Sequence, residues 1–145
     1  MTDPPKRPAR GVYRTRLEWI DTDAAGIYHN ATVARFVEAA EATLMRERDL
    51  PGYFPVAPRA RYEVSFEAPL LFGQEVTASV DVVAIGSSSM TFDFEVWGES
   101  FEGRPRKRAA SGRYVTVHIA GAHDDGSTRS APWPPEWVVA LGGHP

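Results

Sequence analysis

Between Val12 and Ile20 the positions Tyr13, Thr15, Leu17 and Trp19 alternate with Arg14, Arg16 and Glu18, a period of two that predicts a strand with one buried face. The rhythm then changes. From Ala31 to Arg48 the residues Val33, Phe36, Val37, Ala40 and Leu44 recur at spacings of three and four, which predicts a helix of about five turns with a single apolar stripe. Asn30 is placed to cap it. Asp49, Leu50, Pro51 and Gly52 end it, and a proline-marked loop follows through Pro58.

Four further segments return to the period of two. Their expected inner faces are Tyr62, Val64 and Phe66; then Val76, Ala78, Val80 and Val82; then Met90, Phe92, Phe94 and Val96; and last Val115, Val117 and Ile119. Turn residues separate them at Pro69 with Gly73, at Gly86-Ser87-Ser88, and from Gly98 to Gly103. The order β-α-β-β-β-β predicts an α+β domain, a five-stranded and mostly antiparallel sheet with one long helix on one face, over residues 12–120. Residues 1–11 read as a disordered tail, and 121–145 as a second tail with a loop to Pro135 and a short helix at Glu136 to Leu141. A single helix covers little area and the sheet leaves an edge strand open, so a homodimer or homotetramer is expected.

Composition narrows the function. The 145 residues fit one domain. A net charge of -3 argues against nucleic acid as the main partner. No apolar run approaches the roughly 20 residues that span a bilayer, so no membrane partner is expected. The basic, proline-rich start has no apolar centre like that of a secretory signal, and the chain is expected in the cytoplasm. The absence of cysteine removes thiol nucleophiles, thiolate metal sites and disulfides. His29, His118, His123 and His144 show no zinc spacing, so neither a metal nor a cofactor is expected. No Gly-x-Ser-x-Gly elbow and no phosphate-binding glycine loop occur. Basic residues gather at Arg104, Arg106, Lys107 and Arg108; they read as a solvated turn between strands, with a phosphate contact as the alternative.

The candidate chemistry lies in Asp21-Thr22-Asp23-Ala24-Ala25-Gly26-Ile27-Tyr28-His29-Asn30. This stretch brings a buried acid up to a helix start, whose free amides carry partial positive charge and favour an anion or a developing oxyanion. Asp23 is the candidate acid, against the plainer reading of an Asx-turn residue capping Ala25 or Gly26. Asp21 reads as structural. Gly26 is explained by backbone geometry, since a side chain there would crowd the turn or block the amides.

The order of elements resembles the hotdog fold, and the Asp21 to Gly26 turn with Phe36-Val37-Glu38 behind it is similar to the 4-hydroxybenzoyl-CoA thioesterase and related acyl-CoA thioesterase family. Phe72-Gly73-Gln74-Glu75-Val76 looks like that family's connection into its third strand. The resemblance implies an acyl thioesterase that hydrolyses acyl-CoA or acyl-carrier-protein thioesters without a cofactor. Asp23 would be nucleophile or general base, and the amide at Asn30 would polarise the carbonyl. It also implies a site at a subunit interface. Gly26, Ile27, Tyr28, His29, Ser88 and Ser89 are further candidates for substrate binding, Glu38 could face the partner subunit's site, and Arg59 and Arg61, on consecutive outward positions of a strand, could meet phosphates. Where relatives often have Tyr then His before the helix this chain has His29 and Asn30, and where some carry a basic cluster between the third and fourth strands it has Gly86, Ser87, Ser88 and Ser89. Tyr53, Phe54, Tyr62 and Phe66 suggest a medium or aromatic acyl group. Two other readings stand beside this one: a hydratase or dehydratase on enoyl thioesters, whose histidine would follow the acid by five positions where His29 follows Asp23 by six, and a binding module without turnover.

Overall fold

The computed structural model describes residues 8–28, 30–121 and 126–143. Strand β1 (Arg10–Arg16) leads through a 3₁₀ turn at Trp19–Asp21 to helix α1 (Asn30–Glu47). Strands β2 (Arg59–Phe66), β3 (Glu75–Ile85), β4 (Ser89–Gly98) and β5 (Lys107–Val117) follow. They form one five-stranded sheet in the order β1-β3-β4-β5-β2, antiparallel at every junction. A small ribbon of β6 (Ile119–Ala120) and β7 (Arg129–Ser130) lies inside the segment expected to be loop, and α2 (Pro135–Ala140) supplies the short closing helix.

Helix α1 lies over β1, β3 and β4. Its Val33, Phe36, Val37, Ala40 and Leu44 are fully buried, facing Val76, Ala78, Val80, Met90, Phe92 and Val96. Strand β1 approaches the helix backbone tightly at Gly11, where a Cβ would stand 2.3 Å from the Ala40 carbonyl oxygen. At the other end of the helix Asp49 turns left-handed (φ 56°). The amides of Leu50 and Asp49 then reach back to the carbonyls of Met45 and Arg46 at 2.8 and 3.1 Å, a glycine-type stop that aspartate tolerates. Cross-strand pairs such as Arg10–Asp81, Arg16–Glu75 and Arg113–Asp93 put charge on the outer face of the sheet.

Three expectations change. The first strand stops at Arg16 instead of reaching Ile20, because Leu17 and Gly73 join backbones and the chain turns into the 3₁₀ segment; Trp19 and Ile20 are left 73% and 87% exposed. In β5 the helix-side face is Ala110, Gly112, Tyr114 and Thr116, as the pairing Phe92 to Tyr114 and Met90 to Thr116 requires, and Val115 and Val117 point the other way. In β2 a bulge separates Arg59 from Arg61, so the two arginines do not share an outward face.

The bulge turns Arg59 toward the helix and into a buried polar knot. Glu41 of α1, only 1% exposed, accepts hydrogen bonds from the hydroxyls of Tyr114 (2.9 Å) and Tyr53 (3.3 Å). Its other oxygen pairs with Arg59 at 3.3 Å. The guanidinium lies over the Tyr114 ring at 4.4 Å, and Tyr53 also shares a 2.9 Å bond with Thr116. Burial raises the Glu41 carboxyl above its ordinary value, against the opposing pull of Arg59 and the two tyrosines. Burial likewise pushes both tyrosines upward, with the nearby Glu41 charge adding to it.

Two outcomes test this packing. Gly11→Ala forces a methyl into the α1 backbone and should cost about 1–3 kcal/mol, read by urea unfolding; an unchanged midpoint would contradict the close approach. Because Glu41 is raised from 4.5, its contribution to stability is whole below about pH 4.5 and is lost as pH climbs through the folded value. Glu41→Gln keeps an acceptor for the tyrosines and removes the titration. The stability of the variant relative to wild type should therefore improve as pH rises above about 4.5 and level off once the raised folded value is passed, and a flat difference would show that Glu41 is not raised.

Candidate active site

Between the 3₁₀ turn and α1 the backbone folds on itself in a tight hairpin. The Asp23 amide donates to the Ile27 carbonyl at 2.8 Å, the Gly26 amide donates to the Asp23 carbonyl at 3.0 Å, and Thr22 bridges Tyr28. Gly26 has φ 78°, and among the described residues, its two chain neighbours aside, no atom lies within 4 Å of where its Cβ would stand. The glycine is thus required by the left-handed backbone and not by crowding. On its far side the hairpin is stitched to the β2–β3 connection: Ile27 bridges Leu71, and the Tyr28 amide donates to the Leu70 carbonyl at 3.1 Å.

The two acids divide their work in a way opposite to the expected burial. Asp21 is the buried one, at 3% exposure. One of its oxygens accepts the Glu18 amide at 2.8 Å, the other pairs with Arg35 of α1, and its carbonyl accepts the Thr32 hydroxyl at 3.0 Å. Asp21 therefore ties the incoming chain to the first turns of the helix. Asp23 is exposed. Its Oδ1 accepts the Ala25 amide at 2.8 Å, the Asx-turn bond, while Oδ2 has no protein partner among the described residues. The turn fixes the carboxylate's direction.

Around this acid, Tyr28 is buried, tilted against Phe66 at 6.0 Å, and its hydroxyl donates a long 3.5 Å bond to the Ala109 carbonyl. Burial first, and the Glu67 charge second, raise its phenol, so it stays a neutral donor. Ile27 is half-buried. Asn30, expected as the cap, is the exposed first residue of α1. His29 lies outside the described residues, as do His123 and His144.

The remaining candidates are spread along the sheet. Glu38 pairs with Arg59 at 3.4 Å on the β2 side of the helix. Arg59, expected to point outward, is committed to Glu38 and Glu41, and Arg61 is exposed and pairs with Glu63. Ser88 and Ser89 sit in the β3–β4 turn, where the Ser88 carbonyl accepts the His118 amide at 2.8 Å and Ser89 pairs with Val117. That turn is at the opposite end of the 11-residue strand β3 from the acid hairpin, a span of about 35 Å. Within one chain these serines and Asp23 cannot touch one substrate carbonyl. Among the described residues no group of histidines and carboxylates could hold a metal ion, and no helix is long and apolar enough to cross a membrane. Glu41 is absent from the expected set, although a glutamate inside the stripe of Val37, Ala40 and Leu44 is itself a signal of a buried polar contact.

Comparison with known proteins bears on the family and the fold. The family model described as the thioesterase superfamily matches residues 25–101. Among solved structures, the 4-hydroxybenzoyl-CoA thioesterase of Pseudomonas sp. strain CBS-3 superposes with a TM-score of 0.80 at 16% identity, over 93% of this chain and 99% of that one. A 1,4-dihydroxy-2-naphthoyl-CoA thioesterase from Synechocystis gives 0.77 at 18%, over 91% and 95%. A thioesterase from Thermus thermophilus, solved with coenzyme A and Zn, gives 0.71 at 27%, over 88% and 90%. The sheet and its one long helix therefore have the hotdog fold. No curated protein matches the chain by sequence.

Proposed function

The chain belongs to the thioesterase superfamily, and from that membership we propose that it hydrolyses acyl-CoA thioesters to free acid and CoA, with Asp23 as the catalytic carboxylate and the Asn30 amide as oxyanion donor. The observation that carries the reading is the exposed Asp23 carboxylate, aimed by its own hairpin and holding one oxygen that has no partner among the described residues, a few residues before a helix start. Two routes are open to it. As a general base it takes a proton from water while the oxygen of that water attacks the carbonyl. As a nucleophile it forms a mixed anhydride, expels the thiolate, and is freed when water cleaves the anhydride. In both, the negative charge that builds on the carbonyl oxygen falls at the amides of the helix start, which need no reorganisation to receive it.

The acyl group has an apolar lane beside the acid. Phe66, Val64 and Tyr62 line the helix side of β2, beginning at Tyr28 and ending at the Glu38–Arg59 pair. Phe66 is 45% exposed in the single chain, and Trp19 and Phe72 form a second exposed edge-to-face pair at 5.7 Å. These surfaces support a medium or aromatic acyl group and a working unit that is a homodimer or homotetramer, in which a second copy covers the lane. A carrier-protein thioester, which presents the same pantetheine arm, is a second substrate form.

Thiol release from a panel of short, medium, long and aromatic acyl-CoA compounds tests the reading. Asp23→Asn should lower kcat by about 100-fold or more with the fold intact by circular dichroism. Full activity in the variant would remove Asp23 from the chemistry, and an inert wild type that still binds acyl-CoA would make the protein a binding module. Sedimentation should show two or four copies; a monomer that turns over would dismiss the shared site.

A further inference from the structure

The basic cluster at Arg104, Arg106, Lys107 and Arg108 is split by the fold into two paired and two unpaired cations. Arg106 pairs with Glu99, and Arg108 pairs with Glu67 and Glu95. Arg104 and Lys107 are exposed and have no acidic partner among the described residues. Arg104 is not carried on a loose loop. Phe101 and Arg104 exchange backbone hydrogen bonds of 3.0 and 2.9 Å around Glu102 and Gly103, whose φ of 48° and 79° are those of a tight hairpin turn. Glu102, the acid of that turn, forms no ion pair with either cation.

A cleft of about 310 Å³ is lined by Arg104 and Pro105 from the β4–β5 connection, by Lys107 at the start of β5, and by Ala68, Pro69, Leu71 and Gln74 from the β2–β3 connection. Leu71 is the residue that bridges Ile27 of the acid hairpin. Cleft and acid hairpin are therefore neighbours, at the end of the sheet where Lys107 pairs with Gly98. The uncharged β3–β4 turn lies at the other end. Gln74, which also lines the cleft, is satisfied by the Leu71 amide at 3.0 Å and the Glu99 carbonyl at 2.9 Å, so among the described residues Arg104 and Lys107 are the lining groups left to take a charged ligand. A basic pair in a cleft otherwise lined by alanine, proline and leucine, beside an acid suited to a thioester, matches a ligand with an anionic end and a mostly apolar arm.

We propose that Arg104 and Lys107 form the phosphate-binding site for the thiol carrier, holding a phosphate at the far end of the pantetheine arm while the arm lies along Ala68, Pro69, Leu71 and Pro105. The inference deepens the thioester reading and rests on it for the identity of the arm. The phosphate has two sources, the nucleotide of CoA and the phosphopantetheine common to CoA and carrier proteins, and one experiment separates them. Binding of CoA, 4′-phosphopantetheine and pantetheine is measured by calorimetry on wild type and on Arg104→Gln/Lys107→Gln, with Arg106→Gln as a control for charge loss at a paired position.

The double variant should lose about 10-fold or more in affinity for CoA, with pantetheine unchanged and the control close to wild type. The wild-type affinity should fall as salt rises, and the variant's should fall less. Equal loss for 4′-phosphopantetheine and CoA assigns the arm's own phosphate, and loss for CoA alone assigns the nucleotide phosphates; both support the site. Equal loss for pantetheine, no loss for any probe, or no CoA binding by wild type overturns it. Cation-dependent CoA binding by a protein that hydrolyses no acyl-CoA leaves the site standing and removes the hydrolase reading instead.

Discussion

A helix about 10 Å across cannot cover a sheet of five strands spaced by about 4.8 Å. Helix α1 settles over β1, β3 and β4, and the shortfall on the β5 and β2 side organises the rest of the molecule. At the C-terminal half of the helix the gap is filled from within, by Tyr53, Tyr114 and Arg59 converging on Glu41. At its N-terminal half nothing among the described residues fills it, and Phe66 is left half-exposed beside Tyr28 and the acid hairpin. The candidate chemistry thus sits where the covering of the sheet runs out.

That location depends on two aspartates that look alike in the sequence and do different things. Asp21 is consumed by backbone and by Arg35, which makes it part of the joint between β1 and α1. Asp23 is held by a bond within its own turn and presents an oxygen outward. The joint must be stiff for the second acid to be aimed, since a carboxylate that wanders by an ångström loses most of the benefit of proximity. Stitching of the same hairpin to Leu70 and Leu71 serves that stiffness from the other side.

The order of strands and helix was legible because alternation and the three-four spacing are strong over Tyr13 to Leu17, over α1 and over β3 and β4. It failed where apolar character and burial part company. Trp19 and Ile20 continue the β1 rhythm in letters, but the chain has already turned. Val115 and Val117 look like core, yet Tyr114 and Thr116 take the inner positions because their hydroxyls find Glu41 and Tyr53 there. A single extra residue at Ala60 reverses Arg59, and no local pattern announces a bulge. The acid-and-glycine turn was readable as a motif, whereas the burial of Asp21 in place of Asp23 follows from Arg35, fourteen positions along the chain.

The buried knot around Glu41 and the acid hairpin lie toward opposite ends of one helix, and this separation bears on how such a chain changes over generations. Residues that hold the sheet and helix together at the Glu41 end are locked to one another, so substitutions there must come in compatible sets. At the hairpin end, Ile27, Phe66, Phe72 and the Phe101–Arg104 turn can be exchanged one at a time with the core undisturbed. Lineages can therefore vary the surface around the hairpin without first solving the folding problem again.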